Sequence, residues 1–152
     1  MRLIDVPEEY NVINVSFIEN KPGSQVEVFF TPYATVYPDE NLFIADVAAL
    51  KAQGRRVQIS IGGQNGHIVL SSESDKNIFV AQTIAICEKY GFNGLDIDLE
   101  GASIGSVQSL DFTNPTNPQF LFFNQAVTEI LNHFGDSFWL TAAPEIYYVQ
   151  AA

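Results

Sequence analysis

The chain has 152 residues, enough for one ordinary domain, and its 47% hydrophobic against 16% charged residues place it among globular rather than disordered chains. A net charge of −11 argues against nucleic acid and anionic membranes as partners, and no run of about 18 apolar residues is present to span a bilayer. A single cysteine, Cys87, rules out an internal disulfide.

The opening residues, MRLIDVPEEYN, lack the apolar stretch of a secretory signal. Residues 10–17, YNVINVSF, are rich in Val, Ile and Phe and predict a strand. A long loop is expected over 18–38. Residues 39–54 predict a helix, with Phe43, Val47 and Leu50 at helical spacing, acids leading and Gly54 closing it. Residues 56–63, RVQISIGG, predict a strand ending in glycines. Residues 74–91 predict a helix capped by Ser74 and stopped by Gly91, with Cys87 in its apolar core. Residues 93–100, NGLDIDLE, predict a strand, and 101–117, interrupted by two Asn-Pro pairs, a second long loop. A helix over 118–135 starts at Pro118, which suits the first helical position, and a last strand covers 138–145. Strands alternating with helices imply βαβ units, a parallel sheet and an α/β fold.

The strand at 93–100 is chemically unusual. Side chains alternate faces along a strand, so Asp96, Asp98 and Glu100 share one face while Leu95, Ile97 and Leu99 share the other. A parallel strand covered by helices on both sides would be apolar on both, so the acidic face points into something polar, as in a barrel interior near its mouth. Carboxylates are poor strand formers, and no Lys or Arg follows Lys89 to offset their repulsion. An edge strand with a solvated acidic face is one explanation. A calcium loop is another, since DIDLEG supplies oxygen ligands at positions 1, 3 and 5 and glycine at 6. The twelfth position, where a bidentate Glu is needed, is Val107. Magnesium at the D-x-D pair stays open, although no basic or glycine-rich phosphate cradle accompanies it. The last reading is acid-base chemistry: crowding and desolvation of carboxylates couple their titrations and keep one protonated, ready to donate to a leaving oxygen.

Four segments then carry a resemblance. Asn93-Gly94-Leu95-Asp96-Ile97-Asp98-Leu99-Glu100 resembles the D-G-x-D-x-D-x-E motif of glycoside hydrolase family 18, the chitinase family, with Asn93 in place of the first Asp. Ser60-Ile61-Gly62-Gly63 is similar to the family's S-x-G-G motif, and YNVINVSF and LTAAPE resemble its second and fifth strands. The fold this implies is a partial (β/α)8 TIM barrel, strands two to five of eight, with residues 1–152 as a partial catalytic domain. The implied activity is substrate-assisted, retaining hydrolysis of β-1,4-linked N-acetylglucosamine polymers. Glu100 would be the acid and base, Asp98 would orient the substrate's acetamido group, and Asp96 would share a proton with Asp98, with Ser60 bonded to Asp96. The substrate side of the site would comprise Ser60, Gly62, Gly63, Phe17 and Glu145. The implied ligands are chitin or chitooligosaccharides, with no cofactor and no metal, and the implied location is extracellular. An endo-β-N-acetylglucosaminidase and a lectin-like binding member are the alternatives; lectin-like members lack the acid that Glu100 supplies here. The first strand and strands six to eight would lie outside this sequence, so the chain alone is expected to self-associate through unpaired barrel edges and to be poorly active.

Some residues stay open or are assigned blander roles. Asn14 and Ser16 form a polar set that turns Phe17 to the opposite face, unless a bulge returns it. Glu145 shares parity with Thr141 and Ala143 and fits either a substrate contact or a structural role. Tyr33 and Phe112 are loop aromatics that could meet a sugar or anchor a loop. His67 is expected to be structural or exposed, His133 to sit at a helix C-terminus, and Trp139 to lie in the core.

Overall fold

Branched and aromatic residues at every second position build strands β1 (Val12–Asn20), β3 (Arg56–Gly62), β4 (Gly94–Asp98) and β5 (Trp139–Ala142). Between them run helices α1 (Glu40–Ala52), α2 (Glu73–Tyr90) and α3 (Pro118–Phe134), and a two-residue strand β2 (Val28–Phe29). The computed structural model describes residues 1–100 and 116–145. The sheet order is β2-β1-β3-β4-β5. Strands β1, β3, β4 and β5 are mutually parallel in the sequence of a partial TIM barrel, while β2 folds back antiparallel on the end of β1.

The parity expected of the strands holds. Ile13 and Val15 of β1, Val57, Ile59 and Ile61 of β3, and Leu95 of β4 face the helices and are buried. They meet Phe43, Val47 and Leu50 of α1, Phe79, Cys87 and Tyr90 of α2, and Phe123, Ala126 and Ile130 of α3. Four rings, Phe30, Phe43, Tyr90 and Phe92, pack edge to face or tilted beneath α1, with centroids 4.9 Å apart for the Phe30–Tyr90 pair. Burial, with a smaller push from Glu88, raises the Cys87 thiol to about 12, which fits a core residue rather than a nucleophile.

Helix ends follow local chemistry, with one shift from expectation. Asp39 caps α1 by accepting from the Asn41 amide at 2.9 Å. Asn117 caps α3 by accepting from Gln119 and Phe120, with Pro118 at its first position. The cap of α2 is Ser72 rather than Ser74: its hydroxyl accepts from the Asp75 amide, so the helix starts earlier and Glu73 enters the first turn. Gly91 closes α2 in the left-handed conformation, as its position predicts.

Three further expectations are corrected. The segment 18–38 is not loop throughout. Strand β1 runs on to Asn20, and Val28 and Phe29 pair back on it across a hairpin closed by the Lys21–Glu27 ion pair at 3.0 Å. The acidic strand stops at Asp98, so Leu99 and Glu100 lie just past its end. Trp139 is not core. It is 44% exposed, with the Arg56 guanidinium 4.4 Å above its ring, because among the described residues β5 is the last strand of the sheet and has a neighbour on one side only.

Ion pairs tie the periphery together. Lys76 of α2 bridges Glu73 and Glu129, binding α2 to α3, and Lys89 of α2 reaches Glu40 of α1 at 2.7 Å. Arg55, buried behind β3, donates to the carbonyls of Val6, Pro7 and Tyr10, fixing the segment that leads into β1. Arg2 and Tyr37 both donate to the buried Asp46 of α1. Burial pushes the Asp46 carboxyl up, but these hydrogen bonds outweigh it and hold the group below its usual 3.8. A depressed folded value contributes stability that is present above the ordinary carboxylate range and lost as pH falls through the lower, folded value. Asp46→Asn is therefore expected to lower the urea midpoint at neutral pH and to flatten the decline as pH falls below the ordinary carboxylate value of 3.8. Parallel curves for the two proteins across that window would count against this assignment.

Candidate active site

The inner face of the sheet is polar because four strands are in register with like residues opposite one another. Ser16, Ser60, Asp96 and Thr141 form one row across β1, β3, β4 and β5. Asp96 is 5% exposed and receives one hydroxyl on each carboxylate oxygen, Ser60 Oγ at 2.7 Å on Oδ2 and Thr141 Oγ1 at 2.5 Å on Oδ1. Neutral donors thus do what no cation in this part of the chain can do. Ser60 stands where the S-x-G-G resemblance places it. Thr141 was grouped on this face by parity in the sequence but given no role there; its partner lies 45 positions away.

One layer toward the strand ends, Gly62 stands opposite Asp98. A Cβ on Gly62 would lie 2.0 Å from the Asp98 carbonyl oxygen, and the residue has φ of +117°, so only glycine fits. The Gly63 amide donates to that same oxygen at 2.7 Å, clamping the end of β4 against β3. The side chains of Asp98 and Glu100 are partly exposed and make no hydrogen bond or ion pair among the described residues, unlike Asp96. The three acids therefore run from a satisfied, buried member to two open ones at the mouth.

The bulge left open for Phe17 is present. Ser16 pairs with Ser60 and Ile18 with Ile61, which leaves Phe17 as an extra residue in β1, after a cis Ser16–Phe17 peptide. Its ring lies over Gly63, with ring carbons 3.0 Å from where a Cβ on Gly63 would sit. The structure thus brings together Phe17, Ser60, Gly62, Gly63, Asp96 and Asp98. Glu145 follows β5, whose continuation tracks β4 through the Ala143 amide and the Ile97 carbonyl at 2.9 Å. At the far end of β4, Asn93 Oδ1 accepts from the Val57 amide at 2.8 Å. An amide oxygen serves that purpose as well as a carboxylate, which explains why Asn is accommodated there.

The remaining candidates are placed as follows. The His67 amide donates to Asn20 Oδ1 at 2.8 Å, a structural anchor between β1 and the loop after β3. His133 Nε2 lies 2.8 Å from Glu88 near the end of α3. Tyr33 is exposed and lines, with Arg2, Phe30 and Tyr37, a cavity of about 550 Å³ beside β1. Phe112 and Val107 lie outside the described residues. Among the described residues, no three or more His, Cys, Asp or Glu side chains gather as a metal site, and no helix is long and apolar enough to cross a membrane.

The model of the glycosyl hydrolases family 18 matches residues 3–150. The chain belongs to this family. Chitinase Chi52 of Paenibacillus xylanexedens is 42% identical over 151 residues, 99% of this chain and 28% of that protein. Chitinase D of Niallia circulans is 43% identical over 153 residues, again 99% of this chain and 28% of its own length. The crystal structure of a family 18 chitinase from Chromobacterium violaceum superposes with a TM-score of 0.85 at 32% identity, covering 98% of this chain and 37% of that one. The chain thus spans 28% to 37% of the length of these three proteins.

The Gly62 contact yields a direct test. Gly62→Ala is expected to destabilise the chain by about 2 kcal/mol or more beyond Gly23→Ala, because both have positive φ but only Gly62 faces a backbone atom. Urea denaturation of the two variants measures the difference, and equal losses would mean that Gly62 and Asp98 are not in close approach.

Proposed function

We propose that this chain is one partial catalytic domain, residues 1–152, of a chitinase that cleaves β-1,4-linked N-acetylglucosamine in chitin or chitooligosaccharides outside the cell. The observation that carries this reading is the gradient along β4, from a buried, doubly hydrogen-bonded Asp96 to the open carboxylates of Asp98 and Glu100. Retaining hydrolysis of this kind needs one group that gives and takes a proton and another that steadies the substrate's own nucleophile. The relatives named above as chitinases support the substrate class. A chitinase domain from Ostrinia furnacalis of the same fold was solved in complex with penta-N-acetylchitooctaose.

In the proposed reaction Glu100, protonated, donates to the glycosidic oxygen as the C1–O bond breaks. The acetamido carbonyl oxygen of the sugar closes on C1 to give an oxazolinium ion. Asp98 accepts a hydrogen bond from the acetamido N–H and stabilises the positive charge that develops there. Water then attacks C1 as Glu100 takes its proton, the ring opens, and the original configuration returns. Asp96 shares a proton with Asp98 from below. Ser60 holds Asp96, Gly62 and Gly63 hold the end of β4, Phe17 supports the reacting sugar, and Glu145 meets substrate at the rim. No step calls on a cofactor.

The exposed faces of β5, where Trp139 and Leu140 are each 44% open, support the further proposal that the chain alone self-associates through its strand edges and turns over poorly. In the full-length protein, Glu100→Gln is expected to lower kcat on chitooligosaccharides by about 100-fold or more while leaving binding within a few-fold. Asp98→Asn is expected to cost about 100- to 1,000-fold. Undiminished hydrolysis by the Glu100→Gln protein would refute the assignment.

A further inference from the structure

Asp96 is only the end of a longer chain of hydrogen bonds, and the direction of that chain is fixed by the side chain least expected in it. Gln58 lies on the inner face of β3, completely buried. Its Nε2 carries two hydrogens and has two acceptors, Asn14 Oδ1 at 2.9 Å and Thr141 Oγ1 at 2.6 Å. An amide nitrogen donates and does not accept. The Thr141 hydroxyl therefore accepts from Gln58 and has its single hydrogen left for Asp96 Oδ1 at 2.5 Å. A hydroxyl rotates freely and can serve as donor or acceptor; Gln58 removes that choice.

Space for Gln58 is made by the glycine of the acidic motif, Gly94. A Cβ on Gly94 would lie 2.5 Å from Gln58 Oε1 and 3.1 Å from Gln58 Cβ. Gln58 Oε1 is buried and has no hydrogen-bond partner among the described residues. An unmatched buried acceptor is costly, and the two hydrogen bonds made by Nε2 are what this orientation gains in exchange. Were the amide reversed, its oxygen would face Thr141, the threonine hydroxyl would turn toward Gln58, and Asp96 would lose one of its two donors.

We infer that Gln58 and Thr141 form a relay, in which Gln58, anchored by donating to Asn14, also donates to Thr141 and Thr141 donates to Asp96, that directs a hydroxyl hydrogen onto Asp96 and makes both residues positioning residues for the acidic row. The relay itself stands on the hydrogen bonds above; its effect on turnover rests on the proposed chitinase reaction. With the relay on Oδ1 and Ser60 on Oδ2, Asp96 accepts on both oxygens and has a fixed orientation in the acidic row.

Two substitutions at Thr141 separate this role from packing. Thr141→Val keeps the shape and removes the hydroxyl, while Thr141→Ser keeps the hydroxyl and removes a methyl group. In the full-length protein, Thr141→Val is expected to lower kcat on a chitooligosaccharide about 10- to 100-fold with KM nearly unchanged, and Thr141→Ser to restore it to within a few-fold. A packing role would give the reverse order, with serine the worse substitution, and that order, or a Thr141→Val protein as active as the wild type, would overturn the inference. A second readout does not depend on hydrolysis. In the full-length protein, NMR of the Gln58 side-chain amide should show Thr141→Val shifting and exposing to solvent exchange one of the two Nε2 protons, with the proton bonded to Asn14 retained, and Thr141→Ser leaving both in place. Both protons unmoved by Thr141→Val would overturn the relay. A wild-type protein without chitin hydrolysis would refute the proposed function, and the amide protons would still decide the relay.

Discussion

A carboxylate buried to the extent of Asp96 costs several kcal/mol unless donors meet it, and no lysine or arginine follows Lys89 in the sequence. Two hydroxyls from the flanking strands meet that demand, and they do so only in one register. A one-residue slip of β3 or β5 would replace Ser60 or Thr141 with an apolar neighbour and leave Asp96 unpaired. The buried acid therefore fixes how three strands align. Once they are aligned, Gly62 comes against the Asp98 carbonyl, the end of β4 is clamped, and the side chains of the next two acids stay partly exposed.

The two faces of the sheet divide the work. The helix side supplies stability through aliphatic residues of β1, β3 and β4 packed on α1, α2 and α3. The inner side carries a polar lattice of Asn14, Gln58, Ser60, Asp96 and Thr141 that specifies geometry more than it adds stability. Strand β4 has a neighbour on each side, so its acids are flanked by hydrogen-bonded strands. Among the described residues strand β5 has one neighbour, and its Trp139 and Leu140 are open.

Much of this was legible in the sequence because it rests on short-range rules. Period-two alternation identified the faces of β3 and β4, and Pro118 and Gly91 marked helix ends. The features that were not legible depend on partners distant in the chain. The Phe17 bulge exists only as a mismatch between β1 and β3, and no single-strand pattern records it. Gln58 looks like an ordinary polar strand residue until Asn14, 44 positions away, and Thr141, 83 positions away, are brought beside it. Ser72 displaced Ser74 because both fit a cap and only the course of the chain after β3 decides between them. Trp139 reads as core by size alone, whereas its exposure is set by which neighbours β5 has.

The central claim is that the acids of β4 work through the substrate's own acetamido group, which returns the cleaved sugar with its original configuration. The most direct test is proton NMR of the first products when the full-length protein hydrolyses a chitooligosaccharide, read before the anomers equilibrate. The account predicts that the new reducing end forms first as the β-anomer. The α-anomer forming first would mean direct attack by water, and would contradict the roles given to Asp98 and Glu100.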